Sequence, residues 1–271
     1  MTRTLTLREA PSAPVRAEAL APDRLAALGA AEIERLEIWH GNRRAAVGDL
    51  FTVAGGVSDD VRIEGDLRRV SGLGTGMAGG RLTIAGDAGP HTGAEMAGGE
   101  LVVEGDAGDL AGVGMRGGRL VVRGSAGRRL GGAHPGERAG MRGGEILVHG
   151  AAGDEAGAGL RRGLIAVAGR TGDAAGLSAL AGTIVAFGAL GAHPGAGMRR
   201  ASIVAMAGAD LLPTYAPACT YRPPFLPLFL GRLRELGMPV ADDQIDGRYT
   251  RWSGDGVELG RGEILILEEP L

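Results

Sequence analysis

The stretches RLTIAGDAG (81–89), ELVVEGDAG (100–108) and RLVVRGSAG (119–127) repeat one short unit. Each begins with a run of mostly apolar residues, continues with a glycine, and ends with a second glycine three residues later. Copies of the strand and its first glycine recur from residue 61 to about residue 208, and most are 19 residues apart. Self-similarity at a fixed period of roughly 20 residues is the signature of a stacked repeat fold.

The repeat predicts an all-β fold, a right-handed parallel β-helix whose coils are 19 residues long. A single coil cannot bury its own apolar side, whereas stacked strands pair with their equivalents about 4.8 Å above and below. A left-handed hexapeptide helix would need a period of six, which the sequence lacks. Equivalent side chains should form three interior columns: Leu82, Leu101, Leu120, Ile146, Ile165, Ile184 and Ile203; then Ile63, Ile84, Val103, Val122, Val148, Val167, Ala186 and Ala205; and then Met77, Met96, Met115, Met141, Leu160 and Met198.

A glycine follows each predicted strand directly and is expected to form a corner of its coil. We expect positive φ at these corners, because glycine adopts it without steric strain. The corner glycines are Gly65, Gly86, Gly105, Gly124, Gly150, Gly169 and Gly188.

Three segments follow from the extent of the repeat. Residues 1–60 form an N-terminal lead-in and cap, residues 61–208 form the β-helix, and residues 209–271 form an aromatic-rich C-terminal extension. One interval is 26 residues long and holds an insertion, RRLGGAHPGER at 128–138, which should leave the stack as a loop. An open end of a β-stack invites further strand addition, so we expect the C-terminal extension to act as a cap and a partner contact.

Composition and motifs narrow the possible functions. A net charge of −3 gives no reason to expect binding to nucleic acid or membranes, and the single cysteine excludes an internal disulfide. No long apolar run or secretory signal pattern is present, which favours a cytoplasmic protein. No catalytic motif is found, so we predict no catalytic residue and no metal site on this chain.

Two patterns of polar residues resemble sites but favour structural roles. Asp66, Asp87 and Asp106 stack after the corner glycines, and such carboxylates could serve acid/base chemistry. The column continues with serine, alanine and arginine, which fits a solvated corner better. His134 and His193 lie in identical AHPG strings, but several coils separate them, whereas metal ligands must converge.

An apolar stripe should point outward from the strands, between the two strand columns. Either the terminal segments or another subunit must cover so long a stripe, because large exposed apolar patches are unusual. Its candidate partner or cap residues are Val102, Val121, Leu147, Val185 and Val204.

An arginine line follows the methionine column along the outside of the stack. Such a line is tolerable when it is solvated, but guanidinium groups also pair with carboxylates in bidentate geometry, so it is a candidate surface for a ligand or partner that carries carboxylates. It contains Arg116, Arg142, Arg161 and Arg199, with Arg162 and Arg200 beside two of them.

The sequence resembles the C subunit of formylmethanofuran dehydrogenase. The resemblance rests on GNRRAAVGDLFTVAGG at 41–56, the IEGDL strand at 63–67 and the G-x-x-x-M-x-G-G corners, and it covers residues 33–208 best. Within that family the chain looks most like the bacterial version, which belongs to a formyltransferase/hydrolase complex. The fold is also similar to the C-terminal domain of the glutamate synthase large subunit.

The resemblance implies a cytoplasmic hetero-oligomer of one-carbon metabolism, in methylotrophy and formaldehyde oxidation. Its other members would include an amidohydrolase-like subunit and a formyltransferase subunit. The complex would use a methanofuran or methylofuran carrier and tetrahydromethanopterin, with no cofactor bound by this chain. The carrier's polyglutamate tail is a candidate ligand of the arginine line.

Several interpretations stay open at this stage. The chain could instead be the C subunit of an archaeal tungsten or molybdenum formylmethanofuran dehydrogenase, or a spacer protein like the glycine-repeat domain of glutamate synthase. A secreted carbohydrate-active β-helix would need a signal peptide and a converging acidic cluster, and neither is visible.

Overall fold

The computed structural model describes residues 2–268. In the repeat region the strands are β6 (Asp60–Glu64), β7 (Val70–Ser71), β8 (Arg81–Ala85), β9 (Glu100–Val103), β10 (Arg119–Val122), β11 (Arg142–Val148), β12 (Arg162–Val167), β13 (Thr183–Ala186) and β14 (Ser202–Ala205). Strand β6 and strands β8 to β14 pair in parallel, each with the next copy along the chain. The predicted β-helix is confirmed.

The register of the strands matches the predicted columns. Leu101 lies opposite Leu120, and Leu120 lies opposite Ile146, so residues one repeat apart are direct neighbours in the sheet. Their side chains are fully buried, as are those of the methionine column. A second line of parallel bridges joins Leu67, Ala88, Ala107, Ala126, Ala152, Thr171 and Leu190 on another side of the coils.

The prediction of positive φ at the corner glycines is wrong for five of the seven. Only Gly65 and Gly86 have positive φ, at +122° and +115°. The five without it are Gly105, Gly124, Gly150, Gly169 and Gly188. At these corners the neighbouring coil lies too close for a side chain: a Cβ on Gly124 would lie 2.8 Å from the carbonyl carbon of Gly105. Close stacking of backbones therefore accounts for these five glycines.

The N-terminal segment closes one end of the stack. Its elements are β1 (Arg3–Leu7), β2 (Val15–Arg16), α1 (Pro22–Leu25), α2 (Ala30–Glu34), β3 (Glu37–His40), β4 (Arg43–Ala46), α3 (Val47–Leu50) and β5 (Phe51–Ala54). Strand β1 pairs in parallel with β6 and in antiparallel with β5. Strands β4, β3, β2 and β7 form a separate four-stranded sheet in that order.

The C-terminal segment extends the other end of the stack and folds back over its side. Its elements are β15 (Ala216–Tyr221), α4 (Leu226–Glu235), α5 (Asp242–Asp246), β16 (Tyr249–Gly254), a 3-10 turn (Gly256–Glu258) and β17 (Gly262–Leu267). Strand β17 pairs in parallel with β14, and β16 and β15 follow in antiparallel. One 13-stranded sheet thus runs from β5 to β15 through all three predicted segments.

Helix α4 covers the outward apolar stripe. Leu226, Leu230 and Leu233 of the helix are buried against a second hydrophobic cluster that contains Val102, Val121, Leu147, Val185 and Val204. Of the two alternatives for this stripe, the chain's own C-terminal segment provides the cover.

Candidate functional site

A cleft of about 480 Å³ opens where two irregular segments leave the regular stack. One wall is the insertion, which contributes Arg129, Glu137 and Arg138, and the other is the 3-10 turn, which contributes Glu258. The lining residues are Arg129, Ala133, Glu137, Arg138, Ala158, Gly159, Arg161, Leu177, Ser178, Leu180, Gly197, Arg199 and Glu258. Four of these residues are arginines and two are glutamates, so the cleft carries an excess of positive charge.

Ion pairs engage two of the four cleft arginines. The Nε atom of Arg129 lies 2.8 Å from Glu155 Oε2, and the Nε atom of Arg199 lies 2.8 Å from Glu258 Oε2. Within residues 2–268, no carboxylate lies in ion-pair distance of Arg138 or Arg161. These two guanidinium groups are therefore available to an anion from outside.

The floor of the cleft consists of equivalent turns of three successive coils. Gly159, Ser178 and Gly197 all have left-handed backbone conformation, with φ of +69°, +53° and +66°. Such a φ is uncommon for a serine. The stack enforces it, since the Ser178 amide donates to the carbonyl of Ala196 in the next coil at 2.8 Å.

Asp255 fixes the 3-10 turn of the C-terminal segment to the floor of the cleft. Its side chain is buried and accepts hydrogen bonds from the amide of Gly197 at 3.0 Å and from the amide of Val257 at 3.1 Å. Burial alone would raise the pKa of Asp255, but hydrogen bonds from Thr214, Gly197 and Val257 lower it below its usual value. The carboxylate therefore stays charged and anchors the turn that presents Glu258.

The cleft contains only part of the predicted arginine line. Backbone hydrogen bonds align Arg116, Arg142, Arg161, Leu180 and Arg199 as one column, so Leu180 separates Arg161 from Arg199. Of these arginines, only Arg161 and Arg199 line the cleft. The other four members of the predicted set, Arg116, Arg142, Arg162 and Arg200, are exposed outside it.

Arg116 has a partner within the chain. Its guanidinium forms an ion pair with Glu95, and Glu95 also lies 3.3 Å from the Nε2 atom of His134 in the insertion. The ring of His134 stacks on that of His91 with centroids 6.2 Å apart. Arg116 thus belongs to the contacts that hold the insertion against earlier coils.

Two of the three aspartates that follow the corner glycines form hydrogen bonds to the next coil. Asp87 Oδ1 accepts from the amide of Asp106 at 2.9 Å, and Asp106 Oδ1 accepts from the amide of Ser125 at 2.6 Å. Asp66 instead pairs with Arg68, whose hydrogen bond lowers the pKa of Asp66 to about 2. Each of these carboxylates has a local hydrogen-bond partner, which supports a structural role over acid/base chemistry.

Sequence reasoning missed most of the cleft. Arg129, Glu137, Arg138, Ser178 and Glu258 were not predicted as site residues. The insertion offered a signal, because it carries three arginines in a repeat region where insertions form exposed loops. No local sequence pattern could have shown that the C-terminal segment, which contributes Glu258, lies beside the insertion.

Two further properties of the described residues bear on function. Among residues 2–268, no group of three His, Cys, Asp or Glu side chains is arranged to hold a metal ion. No helix in that range is both long and apolar enough to cross a membrane.

No protein-family model matches the chain. Its sequence is 36% identical over 82 residues to the C subunit of the molybdenum-containing formylmethanofuran dehydrogenase 1 of Methanothermobacter marburgensis. It is 33% identical over 95 residues to the C subunit of the tungsten-containing formylmethanofuran dehydrogenase 2 of Methanothermobacter thermautotrophicus. These alignments cover 30% and 33% of this chain, and only 20% and 35% of the relatives.

The structural match extends over the whole chain. The fold superposes with a TM-score of 0.91 and 36% sequence identity on a chain of the formyltransferase/hydrolase complex (FhcABCD) from Methylorubrum extorquens, solved by X-ray crystallography in complex with methylofuran. The match covers 98% of this chain and 100% of that chain.

Proposed function

Because the chain belongs to the C-subunit family of formylmethanofuran dehydrogenase, we propose that it is a non-catalytic scaffold subunit of a formyltransferase/hydrolase complex. The observation that carries this proposal is the end-to-end match to a chain of such a complex at 36% identity. The match includes the C-terminal cap and the cleft region as well as the repeat. A shared repeat alone would support only a shared fold.

In the proposed complex this chain holds other subunits in place and performs no chemical step. A formyl group passes from formyl-tetrahydromethanopterin to a methanofuran-type carrier on a formyltransferase subunit. Water then hydrolyses the formyl carrier to formate and the free carrier on an amidohydrolase-like subunit. A rigid stack suits the scaffold role, because each coil is hydrogen-bonded to the next along its length.

The test is native mass spectrometry of the protein purified from its source, followed by activity measurement. We expect one discrete assembly containing several different chains. The purified chain alone should neither transfer nor hydrolyse formyl groups, and a complex prepared without it should assemble incompletely. A lone chain with formyl-transfer or hydrolase activity would refute the proposal.

The alternative assembly is a molybdenum or tungsten formylmethanofuran dehydrogenase. The names of the relatives found by sequence favour it. Elemental analysis of the purified complex separates the two: stoichiometric molybdenum or tungsten would identify the dehydrogenase, and formyl transfer from formyl-tetrahydromethanopterin would identify the hydrolase complex.

We further propose that the cleft retains the acidic, polyglutamate tail of the carrier. Arg138 and Arg161, which have no ion-pair partner among the described residues, would bind carboxylates, and Arg199 would exchange Glu258 for a ligand carboxylate. Of the predicted arginine line, only Arg161 and Arg199 belong to this proposal, because only they line the cleft.

Charge reversal in the complex tests the carrier proposal. Arg161→Glu should reduce the carrier retained after gel filtration by about tenfold, as expected for losing a charge-assisted hydrogen bond. Arg142→Glu, in the same column outside the cleft, is the matched control and should retain the carrier. Equal retention by both variants would contradict a role for the cleft.

A further inference from the structure

The hairpin formed by β3 and β4 presents an open sheet edge at the N-terminal end of the molecule. Strand β4 is the last strand of the four-stranded sheet, and no strand within residues 2–268 pairs with its outer side. The hairpin turn is Gly41-Asn42, with φ of +61° at Gly41. The turn and both arginines that follow it, Arg43 and Arg44, are exposed.

A ladder of two arginines and a tryptophan crosses the outer face of this sheet. Arg16 of β2 lies opposite Trp39 of β3, and Trp39 lies opposite Arg44 of β4. The guanidinium carbons of Arg16 and Arg44 lie 5.2 Å and 4.7 Å from the centroid of the indole ring. The indole holds both guanidinium groups by cation–π contact, which orders them before any partner arrives. Ile38, the neighbour of Trp39 in β3, points inward and is buried.

The backbone of Arg44 faces the open edge. The amide of Val47 donates to the carbonyl of Leu36 at 2.8 Å, which makes this pair a hydrogen-bonded one. Hydrogen-bonded and non-hydrogen-bonded pairs alternate in an antiparallel hairpin, so Trp39 and Arg44 form a non-hydrogen-bonded pair. The amide and carbonyl of Arg44 therefore point away from β3, toward the place of a further strand.

The positive charge at this sheet edge favours an acidic partner strand. The ladder and the neighbouring Arg43 carry three positive charges, and the only carboxylate paired with them in the described chain is Glu37, which contacts Arg44. Both side chains of that pair are more than half exposed, so it is a weak surface pair that a competing carboxylate can replace.

We propose that β4 accepts an extended acidic segment of another subunit as the fifth strand of this sheet, with a carboxylate beside Arg44. Main-chain hydrogen bonds to Arg44 would supply affinity, and the arginine ladder would supply selectivity for acidic side chains. The inference rests on the proposed function in one respect, namely that the chain has partner subunits.

A second copy of this chain is a poor occupant of the same edge. Antiparallel pairing of two β4 strands would bring Arg43 and Arg44 of one copy beside those of the other. Like charges at directly opposed positions destabilise a sheet. The occupant is therefore a different chain.

Two substitutions at Arg44 separate the side-chain contribution from the main-chain contribution. Arg44→Ala removes the guanidinium and keeps the amide. Arg44→Pro also removes the amide that faces the open edge, while the β3–β4 hydrogen bonds remain, since proline is tolerated on an edge strand. The control is Arg170→Ala, at an exposed arginine away from the hairpin.

The measurement is native mass spectrometry of the assembled complex over a dilution series, after thermal unfolding has shown that each variant folds. We expect the apparent Kd for the partner subunit that binds β4 to rise about tenfold for Arg44→Ala and further for Arg44→Pro. It should not change for the control. A photo-crosslinking residue at Asn42 should capture a partner peptide rich in Asp or Glu.

The outcomes distinguish this inference from the proposed function. Full assembly with unchanged Kd in both Arg44 variants would overturn the inference alone. A crosslink to a second copy of this chain, or to a segment without acidic residues, would also overturn it. A wild-type chain that purifies without any partner would overturn the proposed function, and the inference with it.

Discussion

Replacement of Gly124 by alanine tests why glycine occupies the corners of this stack. The added Cβ would overlap Asp106 Oδ1, and would lie 2.8 Å from both the carbonyl carbon and the carbonyl oxygen of Gly105, in the neighbouring coil. Non-bonded heavy atoms prefer separations of about 3.5 to 4.0 Å, so the Asp106 side chain must leave the amide of Ser125 and the two backbones must move apart by roughly 0.7 Å. The φ of Gly124 is not positive, so alanine brings no left-handed strain to this position.

The energetic cost follows from the hydrogen bonds at the same corner. The amide of Gly124 donates to the carbonyl of Gly105 at 2.9 Å, and a shift of that size stretches the bond beyond about 3.5 Å, where it is lost. A lost backbone hydrogen bond costs about 1 kcal/mol, and overpacking costs about 1–3 kcal/mol. The free energy of unfolding should therefore fall by about 2–4 kcal/mol.

Urea unfolding followed by circular dichroism measures this loss, with two other glycines for comparison. Gly56→Ala should be nearly neutral, because a Cβ there meets nothing within 4 Å. Gly86→Ala tests the opposite cause, since Gly86 has φ of +115° and open space around its Cα. If Gly124→Ala were neutral while Gly86→Ala cost more, backbone conformation and not coil spacing would be the reason for glycine at these corners.

Three further substitutions test the C-terminal cap, the Asp106 hydrogen bond between coils and the partly buried imidazole of His91. Leu230→Ala should lower the free energy of unfolding by about 2–5 kcal/mol and increase binding of the dye ANS, because Leu230 of α4 is fully buried over the apolar stripe; unchanged dye binding would argue against the cap. Asp106→Ala should cost about 1 kcal/mol in urea unfolding, since it removes the acceptor for the amide of Ser125, and Asp106→Asn should restore most of it. Burial and the nearby His134 lower the pKa of His91, so its folded-state pKa lies below that of the unfolded chain. Wild-type stability contributed by this group should be present above about pH 6.5 and lost as pH falls, and His91→Gln should show a smaller drop between about pH 7.5 and 5.

The interior of the stack was predictable because two periods act together. Side chains alternate along each strand, and the whole strand repeats after 19 residues, so the positions of Leu101, Leu120 and Ile146 follow from the sequence once the repeat is found. The positive φ expected at Gly124 was wrong for a physical reason. Sequence shows that a side chain is absent, but whether backbone conformation or a neighbouring coil excludes it depends on the distance between coils.

The cleft could not be predicted, because its walls come from segments that follow neither the side-chain alternation of a strand nor the 19-residue repeat. Arg138 belongs to the insertion, and Glu258 lies some 120 residues later in the tail. Their proximity depends on the path of the chain around the end of the stack, where β17 pairs with β14 and Asp255 reaches the amide of Gly197. The outward apolar stripe did indicate that something covers it. It did not indicate whether the cover is a terminal segment of the chain or another subunit.

A regular solenoid repeats the same surface at every coil, so a distinct site arises where the repeat is broken. In the cleft the stack contributes Arg161 and Arg199 at a fixed spacing, and the irregular segments contribute the walls with Arg138 and Glu258. Arg161 and Arg199 lie two coils apart, which corresponds to roughly 10 Å along the stack axis at about 4.8 Å per coil. An extended chain spans that distance in about three residues. Two guanidinium groups at this spacing, with Leu180 between them, therefore suit a linear ligand that carries several carboxylates better than a single small anion, which could contact only one of them at a time.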